Sequence, residues 1–223
     1  MACGCGTAPV GSLPRAALVA LPVKGRAAKT GYTRDQFGQS WADVDRDGCD
    51  TRSDILITTL TGQDMSGRCK VLSGNLNDPY TGQFIAYVRG GASEVDIDHM
   101  VALSNAWQTG AAAFPFAKRV ALANDPLNLM AVDASTNRQK SDGDAATWLP
   151  PNRPFRCAYV ARQVAVKTTY RLWVTAPEVA GVTRYARCAD ADAAGVTPIQ
   201  TGSPLYDANT HLDRDHDGIA CES

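Results

Sequence analysis

Hydrophobic and polar residues alternate along residues 94–101, which places four side chains on one face: Val95, Ile97, His99 and Val101. A period of two predicts a β-strand. From Phe155 to Trp173 the apolar residues recur at helical spacing, which predicts the longest helix of the chain. Shorter patterns predict helices at 33–41, 53–60, 102–108 and 116–123, and strands at 70–72, 83–89 and 127–132.

Charge divides the chain into unlike parts. Residues 1–30 contain Gly, Pro, Ala and scattered basic residues without a sustained period, which predicts a flexible tail. Residues 84–175 contain ten basic and seven acidic residues, and residues 176–223 contain three basic and eight acidic residues. The middle of the chain therefore favours an anionic ligand, and the acidic end indicates a separate module.

Composition excludes several classes of protein. A chain of 223 residues with 44% hydrophobic and 20% charged residues is globular, rather than disordered, collagen-like or a coiled coil. A net charge of −1 excludes a protein that coats nucleic acid through bulk charge.

The apolar stretch Ala16–Val23 is far shorter than the roughly 20 residues that cross a bilayer, so we expect no transmembrane segment. No signal peptide is visible, and we interpret the chain as an exported form whose signal has been removed.

Seven cysteines without a Cys-x-x-Cys pair favour disulfides over a zinc site, and therefore an extracellular or cell-surface location. Cys49 and Cys69 flank a loop of suitable length and are expected to pair. An odd number leaves at least one cysteine over. Cys3 or Cys5 is a candidate for a lipid anchor, with a spare thiol on a disordered tail as the alternative.

The candidate chemistry centres on His99. It follows Asp98 at the end of a predicted strand; Asn128 lies on the next predicted strand, and Asp133 caps a predicted helix that carries Asn137 and Lys140. Strand, strand and helix in this order are typical of a ββα-metal site. Phosphodiester hydrolysis needs a base, a cation that stabilises the phosphate charge, and a group that orients the base.

Five features resemble the HNH endonucleases, most closely the secreted bacterial ones: IDHMVAL at 97–103, the predicted helix with Trp107, ANDPLNLMAV at 123–132, NRQKSD at 137–142 and WLPP at 148–151. The resemblance covers roughly Trp41 to Val179. One departure from the HNH pattern is Asn137 at the position of the last histidine, a variant that HNH enzymes commonly show. The resemblance implies an α+β fold with a ββα-metal core embedded in a mainly helical domain.

Residue roles follow from this resemblance and from side-chain chemistry. Neutral His99 is the expected general base, and Asp98 and Asn137 are the expected ligands of Mg²⁺ or Mn²⁺. Asn128 is expected to orient the His99 region and Lys140 to contact phosphate. Adjacent strand residues point to opposite faces, so Asp98 and His99 converge on one phosphate only if the strand ends there. Three arginines are candidates for a substrate groove, with a solvated surface charge as the alternative for each: Arg89, Arg138 and Arg153.

An acidic pattern occurs twice, as DVDRDGCDTRSD at 43–54 and DRDHDGIACE at 213–222. Alternate acids followed by glycine are typical of loops that bind calcium. The second copy resembles the Excalibur module, which implies Ca²⁺ ligands at Asp213, Asp215, Asp217 and Glu222. That resemblance also implies a Cys188–Cys221 disulfide, leaving Cys157 with Cys3, Cys5 or no partner; a rival pairing is Cys157 with Cys188. The first copy has EF-hand spacing at Asp43, Asp45, Asp47 and Asp54, with a helix-capping acidic turn as the alternative.

Together these observations predict a tail (1–30), an HNH nuclease domain (31–183) and a small disulfide-linked calcium module (184–223). The expected function is a secreted, metal-dependent endonuclease that cleaves DNA, with RNA as an alternative, without strong sequence preference. The expected protein is a monomer. The competing hypothesis is a calcium-dependent adhesion protein with a non-catalytic HNH-like scaffold. A serine or cysteine hydrolase is excluded because the chain lacks a nucleophile motif.

Overall fold

The elements come from a computed structural model that describes residues 17–91, 95–183, 185–193, 197–202 and 204–222. The main helices are α1 (Thr51–Thr59), α2 (Leu103–Gln108), α3 (Phe116–Asn124), α4 (Ala134–Lys140), α5 (Arg156–Tyr170), α6 (Ala176–Thr183), α7 (Cys188–Ala193) and α8 (Pro204–Asn209). The strands are β1 (Thr61–Ser66), β2 (Lys70–Asn77), β3 (Phe84–Val88), β4 (Val95–His99), β5 (Leu129–Asp133), β6 (Ile199–Gln200) and β7 (Ile219–Ala220). The architecture is therefore mixed α and β.

Strands β4 and β5 form an antiparallel pair that is followed directly by α4. In its register Asp98 lies opposite Met130 and His99 opposite Leu129. The Asp133 carboxylate accepts a hydrogen bond of 2.7 Å from the Thr136 N–H, which confirms the predicted cap of α4. The predicted order of strand, strand and helix is thus observed. Glu94, at the start of the predicted first strand, lies outside the described residues.

Two predicted boundaries near this unit were wrong. Asn128 does not lie on β5 but ends the 3₁₀ turn Pro126–Asn128 that precedes it. The proline supplies a fixed φ and the Asp125 side chain accepts from the Leu127 N–H, so a turn forms before the strand begins. The helix predicted at 33–41 is only the 3₁₀ turn Arg34–Phe37, because Gly38 adopts a positive φ and ends it.

A second sheet has the order β1-β2-β3 and is antiparallel throughout. The predicted strand at 70–72 extends to Asn77, and β1 was missed. The side chains of β1 are mostly exposed and its pairing with β2 contains register shifts. An exposed, irregular edge strand has no alternating hydrophobic pattern, so backbone pairing alone defines it.

The helices fill the space around the two sheets. α5 has 15 residues, the most of any helix in the described part of the chain, as the periodicity predicts. It places Tyr159 and Val166, both fully buried, in two neighbouring hydrophobic clusters. α1 begins at Thr51, earlier than predicted, because the Asp50 side chain accepts from the Ser53 N–H at 2.8 Å. None of the described helices combines the length and apolar character of a membrane span.

The acidic end contains α7, β6, α8 and β7, and its hydrophobic cluster includes Tyr185, Ile199 and Ala220. None of these four elements was predicted from hydrophobic periodicity. They are two to six residues long, which is too short for a periodic pattern to develop.

Each of the two parts of the chain contains a disulfide of its own. Cys49 is bonded to Cys69, and Cys188 is bonded to Cys221, as expected. The rival pairing of Cys157 with Cys188 is therefore wrong. Cys157 is also disulfide-bonded, and its partner lies outside the described residues, as do Cys3 and Cys5.

The Cys49–Cys69 bond closes a loop of 20 residues, so its loss increases the entropy of the unfolded chain. Cys49→Ser is expected to lower the free energy of unfolding by about 3 kcal/mol, measured by urea denaturation. Cys69→Ser should cost the same, and the double variant no more than either single variant, because all three lose the same bond. Wild-type stability in both single variants would contradict this assignment.

Candidate active site

A polar cleft of about 560 Å³ lies where the N-terminal segment, α1, β4 and α4 meet. Three residues predicted for the site line it: Asp98, His99 and Asn137. Lys140 and Asn128, by contrast, are buried behind its wall. Four further lining residues belong to segments that sequence analysis did not assign to the site: Tyr32, Arg34, Trp41 and Arg52. Asp96, on β4, lines the cleft as well.

The imidazole of His99 is buried and held by one hydrogen bond. Its Nε2 lies 2.9 Å from the carbonyl oxygen of Ala123. Because a carbonyl only accepts, Nε2 carries the proton and Nδ1 retains its lone pair in the neutral ring. Burial lowers the pKa of His99 to about 3, so the ring is neutral at pH 7. His99 therefore offers Nδ1 as a proton acceptor.

Trp41 covers one face of this imidazole. The two rings are stacked, with centroids 5.7 Å apart and planes 11° from parallel. Trp41 has a φ of 58°, which is unusual for a bulky residue and costs on the order of 1–3 kcal/mol. The Thr51 N–H donates to the Trp41 carbonyl at 3.4 Å, and the Thr51 hydroxyl donates to the Ala42 carbonyl at 2.5 Å. The start of α1 thus supports the strained backbone that presents the indole to His99.

Asp98 and Lys140 form a buried ion pair on the other side of β4. Lys140 Nζ donates to both oxygens of Asp98, at 2.8 and 2.7 Å, and to the carbonyl oxygen of His99 at 2.7 Å. The Tyr80 hydroxyl donates to Asp98 Oδ2. Burial raises the pKa of Asp98, and the Lys140 ammonium and the hydrogen bonds from Lys140 and Tyr80 oppose part of this rise. All three Lys140 protons are thereby used within the protein.

Lys140 was predicted to contact phosphate, but in this structure its ammonium contacts Asp98 and the His99 carbonyl instead. The side chain is fully buried, and its donors already serve Asp98 and the His99 backbone. Sequence spacing correctly placed Lys140 one helical turn from Asn137, but spacing alone does not distinguish an ammonium that faces a cleft from one that faces a buried carboxylate.

The oxygen ligands at the cleft fit a hard divalent cation. A carboxylate has about four lone-pair positions, and Lys140 and Tyr80 use one on Asp98 Oδ1 and two on Oδ2. One position on Oδ1 is left. Asn137 donates through Nδ2 to Asp96 Oδ2 at 3.3 Å, which leaves its carbonyl oxygen as an acceptor. Two protein oxygens suit Mg²⁺, which keeps several waters.

Asn128 forms hydrogen bonds both to the segment that follows His99 and to α3, the helix whose Ala123 carbonyl contacts the His99 ring. Its Oδ1 accepts from the Val101 N–H at 2.8 Å, and its Nδ2 donates to the Leu122 carbonyl at 3.2 Å. Leu122 precedes Ala123, the residue that contacts His99 Nε2. These contacts support the orienting role predicted for Asn128, although it acts from a turn.

The arginines expected in the substrate groove do not line the cleft. Arg89 Nε donates to the Val71 carbonyl at 2.7 Å, and Arg153 is exposed in a 3₁₀ turn outside the cleft lining. Arg138 is exposed on α4, 3.9 Å from Asp96, outside the cleft lining. Arg34 and Arg52 line the cleft instead. Both lie in segments without catalytic signatures, so only the tertiary fold could identify them.

The two acidic loops have the same local conformation. In each, the glycine N–H donates to the first aspartate at 3.0 Å, from Gly48 to Asp43 and from Gly218 to Asp213. Each loop brings oxygens of three carboxylates within 4.8 Å of one another: Asp43, Asp45 and Asp47 in the first, and Asp213, Asp215 and Asp217 in the second.

Further acids lie near each cluster. Asp54 approaches Asp47, and burial together with the Asp47 carboxylate raises the pKa of Asp54. The carboxylates of Asp217, Asp215 and Asp213 raise the pKa of Glu222. Both loops therefore concentrate negative charge that a cation would relieve.

Comparisons with known proteins agree with this division. Residues 50–179, more than half of the chain, match the family of GmrSD restriction endonucleases, C-terminal domain. Residues 185–222 match the Excalibur calcium-binding domain. An "Uncharacterized secreted protein" of Arthroderma benhamiae is 36% identical over 177 residues, covering 78% of this chain and 84% of the relative. No solved structure matches the chain.

Lys140→Met is expected to lower the free energy of unfolding by about 3–5 kcal/mol, because Asp98 is left buried without its cation. The double variant Asp98→Asn/Lys140→Met should recover part of this loss. Arg138→Met, on the exposed side of the same helix, is the matched control and should change stability by no more than about 0.5 kcal/mol. Denaturant unfolding measures all three. If Lys140→Met were as stable as wild type, Lys140 would not be a structural partner of Asp98.

Proposed function

The chain belongs to the family of GmrSD restriction endonuclease C-terminal domains, and from this premise we propose that it is an exported, divalent-metal-dependent endonuclease of the HNH type. The proposed reaction is hydrolysis of phosphodiester bonds in DNA, with RNA as an alternative substrate, without strong sequence preference. The relative is described as secreted, which supports an extracellular location. Because this relative is fungal, the bacterial origin expected from the resemblance stays a prediction.

The geometry of His99 supports the proposal most directly. Its Nε2 is hydrogen-bonded to the Ala123 carbonyl, so Nδ1 is the basic atom, and the residue lines the polar cleft. His99 would accept a proton from the attacking water at Nδ1. Trp41 and the Ala123 carbonyl hold the ring in place during this transfer, so that little reorganisation is needed.

Asp98 and Asn137 are the proposed ligands of a catalytic Mg²⁺ or Mn²⁺. When bound, such a cation stabilises the charge that develops on the phosphate and on the leaving oxygen. Asp98 also holds Lys140, which in turn donates to the His99 carbonyl, so the same carboxylate fixes the backbone at the base. Asn128 orients the chain on the other side of His99.

The Excalibur domain is proposed to bind a structural Ca²⁺ through Asp213, Asp215, Asp217 and Glu222. The matching conformation of the Asp43–Asp47 loop supports a second calcium site there, with Asp54 as a further ligand. The predicted domain boundaries at 30 and 183 stay a proposal, and the two family matches end and begin close to the second of them.

His99→Ala is expected to reduce cleavage of supercoiled plasmid DNA in Mg²⁺ by about 10²-fold or more, because the general base is lost. His211→Ala is the matched control: His211 Nε2 also lies 2.8 Å from a backbone carbonyl oxygen, that of Tyr185, but outside the cleft lining. It should cleave like wild type. A fully active His99→Ala variant would overturn the proposed base, and an inactive wild type would favour the adhesion hypothesis.

Removal of the metal tests the ligand assignment. A chelator should abolish cleavage, and Mg²⁺ or Mn²⁺ should restore it. Asn137→Ala is expected to require about tenfold more Mg²⁺ for half-maximal rate, because it removes one of few protein ligands. An unchanged Mg²⁺ titration would place the cation away from Asn137.

Calcium is expected to raise the melting temperature, because it binds the folded loop and not the unfolded chain. The stabilisation is about 2.7 kcal/mol when free Ca²⁺ is 100 times its dissociation constant. Asp215→Ala should abolish most of the rise, whereas Asp207→Ala, an exposed acid of α8 outside the loop, should preserve it. If Asp215→Ala responds like wild type but Asp45→Ala does not, the stabilising ion binds in the first loop.

A further inference from the structure

The cleft offers a ligand more positive charge than the equal numbers of basic and acidic residues in its lining suggest. Four charged residues that line it are Arg34, Arg52, Asp96 and Asp98. Asp98 is neutralised by Lys140 at 2.7 Å. Asp96 accepts a hydrogen bond from Asn137 and lies 3.9 Å from Arg138. Both acids therefore already have partners.

The two arginines differ in this respect. Within the described part of the chain, neither Arg34 nor Arg52 makes a hydrogen bond or ion pair through its guanidinium. Arg34 is exposed and Arg52 is half-buried. Half-buried arginines elsewhere in the described residues are bonded internally; Arg119, for example, donates to the Gln36 carbonyl, and Arg162 to the Leu127 carbonyl. Two guanidiniums at one cleft without internal acceptors leave donors that a ligand can satisfy.

Both arginines are attached to fixed backbone. Arg34 begins a 3₁₀ turn that is anchored by the buried ring of Phe37. Arg52 lies in the first turn of α1, whose start is capped by Asp50 and hydrogen-bonded to the Trp41 carbonyl. Arg34 lines the cleft together with His99, and both residues also line a smaller cavity beside Trp41, so the guanidinium lies near the ring.

We propose that Arg34 and Arg52 form a clamp for a backbone phosphate of the nucleic acid and place that phosphate beside His99. This inference rests on the proposed function. Guanidinium groups present paired donors that match two phosphate oxygens, so the clamp recognises the backbone and not the bases. It also explains how a chain with a net charge of −1 binds a polyanion, because the charges that attract it are confined to one cleft.

The test measures binding without cleavage. Arg34→Gln and Arg52→Gln are made in the His99→Ala background, and the dissociation constant for a short fluorescein-labelled DNA duplex is measured by anisotropy at several salt concentrations. Each variant should bind about tenfold more weakly, and the slope of log affinity against log salt should fall by about 1. Arg171→Gln, an exposed arginine outside the cleft lining, is the matched control and should change neither quantity.

Melting temperatures show whether each variant is folded, and Arg34→Lys and Arg52→Lys provide a second pair that keeps the charge. The lysine variants should keep most of the salt slope but lose affinity, because an ammonium lacks the paired donors. Unchanged binding in either glutamine variant, or an equal loss in Arg171→Gln, would overturn the clamp. Cleavage by wild type is assayed separately, so an inactive protein whose DNA binding still depends on both arginines would refute the proposed function and support the clamp.

Discussion

The buried ion pair between Asp98 and Lys140 is the constraint on which the site depends. Lys140 is the last residue of α4, and its ammonium connects that helix to the carboxylate of Asp98 and to the carbonyl of His99 at the end of β4. Breaking such a pair leaves an uncompensated charge in a low dielectric, which costs several kcal/mol. The pair therefore fixes the helix against the last two residues of the strand. This contact therefore fixes the backbone position of His99.

The two sides of β4 serve different purposes. Asp98 faces Lys140 and Tyr80, whereas the His99 ring contacts Ala123 and Trp41. Trp41, which covers the ring, and two arginines of the cleft lie in residues 32–52, a segment that the Cys49–Cys69 bond ties to the turn between β1 and β2. The two strands and the helix thus supply the proposed base and the proposed metal ligands, and a separately cross-linked segment supplies Trp41 and the two arginines.

Sequence patterns predicted β4 and α5 from their hydrophobic periods, and α4 from the capping residue Asp133 that precedes it. They also placed Asp98, His99 and Asn137 at one cleft. Strand β1 was missed because its side chains are exposed and only its backbone pairs. The burial of Lys140 and the presence of Arg34 at the cleft were missed for a different reason. Both depend on contacts between residues far apart in the chain, which no local spacing encodes.

The tautomer of His99 tests the central claim most directly, because it reports the atom that is left to act as base. ¹⁵N NMR of histidine-labelled protein, with the His99 signals assigned by their loss in His99→Ala, measures the protonation of each ring nitrogen. A neutral ring at pH 7 with the proton on Nε2 and a lone pair on Nδ1 is the predicted result. A proton on Nδ1, or an imidazolium at that pH, would contradict the account.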